Sequence, residues 1–255
     1  MLKTVITAAA IAATASLATA DNVTPGVIFG SGNANGGFTV ATGNGIQLGL
    51  RGKVRYNSLG QPENTFNQVG NSNTYRFNPS AGVAPGARAT WNWEWSINSN
   101  VDGTGANLDQ FCYEISIYEL SNGPAGAASG DIINGVVTGF DHSFGNNSTT
   151  AANDTVGTIA NYATLIANSN VAQNSSNFAF LSSFFSGTSM DGWARGDLGT
   201  YVITLKAFEK LAGGAQGAEL LSNSVNIQVV PLPPAAFAGL GLLGALVGVR
   251  AVRRR

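Results

Sequence analysis

Three tryptophans occupy alternate positions in the stretch WNWEWSIN, as Trp91, Trp93 and Trp95. A row of indoles at a period of two can stack on sugar rings or fill the inside of a sheet. The residues between them decide which is expected. Asn92, Glu94, Ser96 and Asn98 make a face suited to water. Turning the indoles outward would bury Glu94 without an evident partner, at a cost of several kcal/mol. The row is therefore expected in the core and the polar face in solvent. A fourth tryptophan, Trp193, lies in the turn-like MDGWARGD at 190–197 and is the candidate for a surface ring in contact with sugar.

The ionisable residues offer little for catalysis. Glu94, Glu114 and Glu119 could supply a glycosidase pair, which needs two carboxyls about 5–10 Å apart, but strand glutamates facing solvent give the same pattern. Asp102, Asn107 and Asp109 share one loop, and Asp191 and Asp197 another. Oxygen-rich loops can take Ca2+, yet neither has the Asp-x-Asp-x-Asp-Gly order or closing Glu of an EF-hand, and turn formation is the simpler role. His142, beside Asp141, is the single histidine, so no multi-histidine metal site can form. Neither a Gly-x-Ser-x-Gly elbow nor a phosphate-binding Gly-x-x-x-x-Gly-Lys motif occurs. The expectation is a protein that is not an enzyme and has no cofactor. Arg51, Lys53 and Arg55 form a basic row on one strand. It reads first as a solvated face that discourages edge pairing, and second as a contact for anionic polysaccharide. Cys112, between Phe111 and Tyr113, is the one cysteine. It can form no internal disulfide and is expected to behave as a small buried hydrophobe.

Short strands must carry these groups. Charged residues make up 11% of the 255 residues, well below the usual share of about 25%. The 33 glycines, with abundant asparagine, supply turns between short apolar runs. In GIQLGLRGKVRYN (45–57), Ile46, Leu48, Leu50, Val54 and Tyr56 share one face, and Gln47, Arg51, Lys53 and Arg55 the other. FCYEISIYEL (111–120), SNFAFLSSFF (176–185), DLGTYVITLKAF (197–208) and SVNIQVV (224–230) also read as strands. Shorter apolar pieces lie at 27–29, 38–40 and 132–137, and residues 57–88 read mainly as loops. Ile159, Tyr162, Leu165 and Ile166 fit one short helix at 158–167. Asp197-Leu198-Gly199-Thr200-Tyr201 has the spacing of a tyrosine corner. The expected fold is all-β: an antiparallel Greek-key sandwich, immunoglobulin-like or jelly-roll-like, over residues 21–229.

The two ends have a different character. MLKTVITAAAIAATASLATA has a basic start at Lys3, an uncharged Ala-rich run and small residues at Ala18 and Ala20. It reads as a signal peptide over 1–20, cleaved before Asp21. At the other end, Val230-Pro231-Leu232-Pro233-Pro234 precedes an uncharged run, expected as a transmembrane helix over about 235–249, and then Arg250, Arg253, Arg254 and Arg255. Arginines flanking a span stay on the cytoplasmic side, which leaves the body outside. Of 13 basic residues, Lys3 and these four arginines belong to the ends. Eight remain against 14 acids, so the body carries a net charge of −6. That excludes the basic footprint of nucleic-acid binding.

The order of proline motif, apolar span and arginine cluster, behind an N-terminal leader, resembles the VPLPA-CTERM variant of the PEP-CTERM sorting signal. Pro234 stands where that motif usually has Ala. The body pieces VIFGSGNANGGFTV, GIQLGLRGKVRYN, WNWEWSIN and VAQNSSNFAFL resemble exported proteobacterial proteins of the same group. The resemblance implies a β-rich exported domain, transiently anchored in the membrane and cut near the proline motif by an exosortase-type enzyme. It also implies delivery to the cell surface or extracellular polysaccharide, and no established activity. The expected role is structural or adhesive. A carbohydrate-binding module using Trp193 is the alternative, with a glycoside hydrolase behind it.

Overall fold

The computed structural model describes residues 20–25, 34–133, 141–150 and 154–231. Two sheets pack face to face. The first has the order β1 (Ala20–Asp21), β2 (Phe38–Gly43), β3 (Ile46–Val54), β5 (Trp91–Asn98), β10 (Val171–Ser176), β8 (Ser143–Gly145), β9 (Thr155–Val156), with every pair antiparallel. The second has the order β4 (Thr74–Phe77), β12 (Gln216–Val229), β11 (Gly199–Lys210), β6 (Phe111–Glu119), β7 (Ala128–Asp131). Its β4–β12 pair is parallel and the rest are antiparallel. The fold is thus a β-rich two-sheet sandwich, as expected, with one parallel exception. The expected signal peptide except Ala20, Ala18 included, the piece at 27–29, residues 134–137 of the piece at 132–137, Leu232, Pro233, Pro234, the expected transmembrane helix and the terminal arginines lie outside the described residues. Among the described residues no helix is long and apolar enough to cross a membrane.

The core lies between the sheets. Trp91, Trp93, Trp95 and Ile97 enter it from β5, alongside Ile46, Leu48 and Leu50 of β3. The other sheet contributes Tyr113, Ile115, Ile117, Ile203, Leu205 and Ile227. Each indole removes on the order of 150–250 Å² from water, or about 4–6 kcal/mol at ~25 cal/mol per Å². The Nε1 groups of Trp91, Trp93 and Trp95 have no acceptor among the described residues. At about 1–3 kcal/mol each, that cost is smaller than the gain, so the row stays inside. The sheets are also tied by a polar bond: Asn223 of β12 donates to the carbonyls of Thr39 (2.8 Å) and Leu48 (2.9 Å).

The polar face of β5 is not in solvent. Asn92, Glu94, Ser96 and Asn98 are all buried, as are Arg51 and Lys53 of β3. A third layer covers this outer face, made by residues 21–25, the 34–38 segment and Phe66. Val23 is buried against Phe38 and Val40, Thr24 N–H donates to Gln47, and Asn98 donates to Thr24 O. Two glycines of β3 admit this packing from opposite sides. A Cβ on Gly49 would sit 2.5 Å from Val23 Cγ1, and one on Gly52 would sit 2.6 Å from the Phe77 ring. The alternation of the sequence identified the inner face; the second cover comes from distant segments that no local pattern announces.

Other elements also depart from expectation. Phe178–Leu181 is a 3-10 turn and Ser182–Phe185 an α-helical turn, α2, so 176–185 is not a strand; the strand is β10, just before it. Phe178, Leu181 and Phe185 are the buried residues there, which is helical spacing. Asn177 starts the turn by accepting from Ala179 N–H. The expected helix is shorter, α1 at Tyr162–Asn168, and leaves Ile159 exposed. β4 lies in the presumed loop 57–88, too short at 4 residues to stand out. A strand not anticipated, β7, precedes the piece at 132–137, of which only the buried Ile132 and Ile133 are among the described residues.

Candidate functional site

The groups singled out in the sequence fall into three places. The first is the buried outer face of the first sheet. Arg51 and Glu94 stand opposite each other on β3 and β5. Arg51 Nε donates to Glu94 Oε2 at 2.5 Å and its Nη2 pairs with the same oxygen, while Lys53 Nζ lies 3.9 Å from Glu94 Oε1. The guanidinium also donates to Ala34 O and Gly36 O, and lies over the rings of Phe38 (4.0 Å) and Phe66 (4.2 Å). Burial pulls Arg51 below the usual arginine range, opposed by Glu94, and burial pulls Lys53 down in the same way. The basic row is therefore not a solvated face. Arg51 and Lys53 form an internal ion pair cluster with Glu94, and only Arg55 remains half-exposed, over the Tyr56 ring. This is the partner for Glu94 that residue order alone did not reveal, although Arg51 and Glu94 both sit on outward-facing positions of strands that pair. The cluster fastens the 34–38 segment to the sheet, with the Arg51, Lys53 and Glu94 side chains at most 2% exposed.

The second place is around His142, which lies just before β8 and is buried. Its ring packs edge-on to Trp95 (4.8 Å), and Nδ1 shares a 2.8 Å hydrogen bond with Tyr162 Oη. Burial pushes His142 down to about 4 and pushes Tyr162 well above its usual value. A neutral imidazole against an indole acts as core packing.

The third place is one end of the sandwich, where β6 and β12 finish and β11 begins. The tyrosine corner is present: Tyr201 Oη donates to Asp197 O at 3.3 Å. It braces the loop carrying Trp193. That ring is half-buried, with edge contacts to Trp91 (6.5 Å between centroids) and Phe178 (5.4 Å). Trp193 therefore folds back on the core and presents only part of itself. A cleft of about 240 Å³ opens beside it, lined by Glu119, Asn122, Asp191, Trp193, Asp197 and Tyr201 among others. That is below the about 300–1,000 Å³ of pockets that enclose a small molecule, so a ligand would rest on it rather than enter it. Three carboxylates and no cation line the cleft.

The loop carboxylates serve the backbone. Asp191 accepts from Gly187 N–H, Asp197 from Ala194 N–H, and Asp102 from Thr104 N–H. Asn107 donates to Ala167 O, and Asp109 O accepts from Lys210. Among the described residues no three His, Cys, Asp or Glu side chains are grouped to hold a metal ion. The glycosidase pair is not assembled across strands: Glu94 is on β5 of one sheet, and Glu114 and Glu119 are on β6 of the other. Those two are five positions apart and project from opposite faces of β6. Cys112 is buried, contacts Gly214 O at 3.8 Å, and has its thiol pushed up by burial.

At the same end of the molecule the last described strand stops. Val229 is the last residue of β12, Val230 N–H donates to Phe77 O at 2.9 Å, and Pro231 is exposed. An apolar groove of about 460 Å³ beside this strand end is lined by Leu120, Leu198, Val229, Val230 and Pro231 among others. At the other terminus, Ala20 and Asp21, which flank the expected signal-peptide cleavage, pair with Thr39 and Phe38 as β1. Comparison of the chain with protein families, with curated proteins and with solved structures finds no match.

Proposed function

We propose that the chain is an exported, surface-sorted β-sandwich without catalytic activity, a structural or adhesive component of the envelope or extracellular polysaccharide matrix. The observation that carries this reading is the sequence order: a leader ending at Ala20, an acidic body, then Val230-Pro231-Leu232-Pro233-Pro234, an apolar run and four arginines. The end of β12 at Val229, one residue before the proline motif, supports a division of labour between body and tail. In this reading residues 21–229 face outward, the tail anchors the precursor in the membrane, and an exosortase-type enzyme removes it. The adjacency of β3 and β5 in one sheet while β4 lies in the other supports a Greek-key arrangement of the immunoglobulin-like or jelly-roll kind. Intact mass of the protein from its native envelope tests the proposal. Loss of both residues 1–20 and the tail is expected. Full-length protein in the cytosol would refute it.

A second reading, a carbohydrate-binding module, is favoured by one observation: the part-exposed Trp193 ring borders a cleft with Asn122, Asp191 and Glu119 as hydrogen-bonding groups. With three carboxylates and no cation, the cleft suits neutral or amino sugars rather than acidic ones. Binding on a glycan array that is lost in Trp193→Ala, with the fold retained, would establish it.

A further inference from the structure

The proposed processing needs a peptide bond that an enzyme can reach, and the end of the sandwich limits where that bond is. Val229 is buried and paired on both sides, with Gly199 of β11 and Phe77 of β4. Val230 continues this pairing through its bond to Phe77 O, and lines the groove with Leu120 and Leu198. A protease reads its substrate as an extended strand that must be lifted clear of other partners. Cutting at or before residue 230 would require peeling the end of an interior strand from both neighbours and exposing Val229. Pro231 is the first exposed residue, and having no N–H it ends the ladder. We infer that the bond broken when the tail is removed lies C-terminal to Pro231, and this rests on the processing reading above. A water, or a hydroxyl or amine of an acceptor, adds to the carbonyl carbon ahead of the cut. The C–N bond breaks, and the nucleophile's proton ends on the new α-amine of the released tail.

The space is tight. Residues 231–234 lie between the last held residue and the expected span, and four residues reach at most about 14 Å. The headgroup layer takes up about 5–8 Å of that. The exposed Leu120 and Leu198 at this end would then lie near the bilayer surface, and the enzyme must work between the two.

The experiment compares the native chain with one carrying Gly-Ser-Gly inserted between Val230 and Pro231, both recovered from the native envelope and mapped at the C-terminus by peptide mass. The expected last encoded residue is Pro231 or a later one, and the insert remains in the mature protein. A native terminus at Val230 or earlier, or an insert lost with the tail, overturns the inference while leaving processing intact. An untrimmed tail in both overturns the processing reading as well. Digestion of the full chain in detergent with a non-specific protease checks the geometry without that enzyme. Cuts are expected after Pro231 and none between 223 and 230, and early cuts within 223–230 would overturn the inference.

Discussion

Replacing Glu94 with Gln separates the buried ion cluster from a solvated face. Glu94 receives Arg51 through Nε and Nη2 and faces Lys53 at 3.9 Å, and the three side chains are at most 2% exposed. Gln keeps the volume but removes the charge, which leaves two cations in the covered face and turns one amide N–H2 toward guanidinium donors. Breaking a buried pair from one side costs about 3–5 kcal/mol. For a domain of this size each kcal/mol moves Tm by about 2–4 °C, so a drop of about 6–20 °C is expected. Urea denaturation at pH 7 with an unchanged slope, together with a thermal scan, measures it. The difference should persist in 1 M salt, because a covered pair is poorly screened. Lys206→Ala is the control: its pair with Glu219 is about a third or more exposed at both partners and should be worth no more than about 0.5 kcal/mol. Replacing the cluster as a unit, with Met at 51 and 53 and Leu at 94, should recover most of the loss, since apolar substitutes for a buried pair are often neutral or better. A Glu94→Gln protein within about 0.5 kcal/mol of the native chain would refute the buried arrangement.

His142 should make stability depend on pH. The unfolded chain takes up its proton near 6.5 and the folded one near 4, so between these values the unfolded state binds more protons. Stability should fall by about 3 kcal/mol as pH drops from 6.5 to 4, and His142→Gln should flatten that slope in urea titrations. Gly49→Val would collide with Val23, so it should loosen residues 21–25, seen as faster proteolysis near the N-terminus with the inner core still formed. Asn177→Asp should cost about 2–4 kcal/mol, because Nδ2 donates to Ala89 O, Trp91 O and Asn92 Oδ1 and a carboxylate would face those oxygens unpaired. Cys112 should react with a thiol reagent only on unfolding, and early labelling of the native protein would contradict its burial.

What was legible in the residues was whatever has a local period. The tryptophan row, the inner face of β3, the paired β11 and β12, and the tyrosine corner each depend on alternation or on one short spacing. The outer face of the first sheet was misread because polarity was taken as a sign of solvent. Arg51 and Glu94 are 43 positions apart, and nothing in either stretch states that they pair. The cover itself, from 21–25 and 34–38, is too short and irregular to show a period. The turn at 178–185 was misread for a different reason: its apolar run fits strand and helix alike, and Asn177 decided between them. The Trp193 cleft was anticipated in its aromatic but not in its acidity, which gathers Glu119 of β6 with Asp191 and Asp197 from a loop far along the chain.

The strand synthesised last is an interior one. β12 lies between β4 and β11, and its Asn223 reaches across to the first sheet. A nascent chain that has reached only residue 215 can tie the layers through Tyr75 of β4, whose Oη donates to Gly37 O, but it lacks the Asn223 link, and β4 and β11 lack the strand that joins them. Closure of the second sheet must wait until β12, Gln216–Val229, has emerged. Such a body sets only when β12 arrives, and under the proposed export it would be threaded before it is shaped.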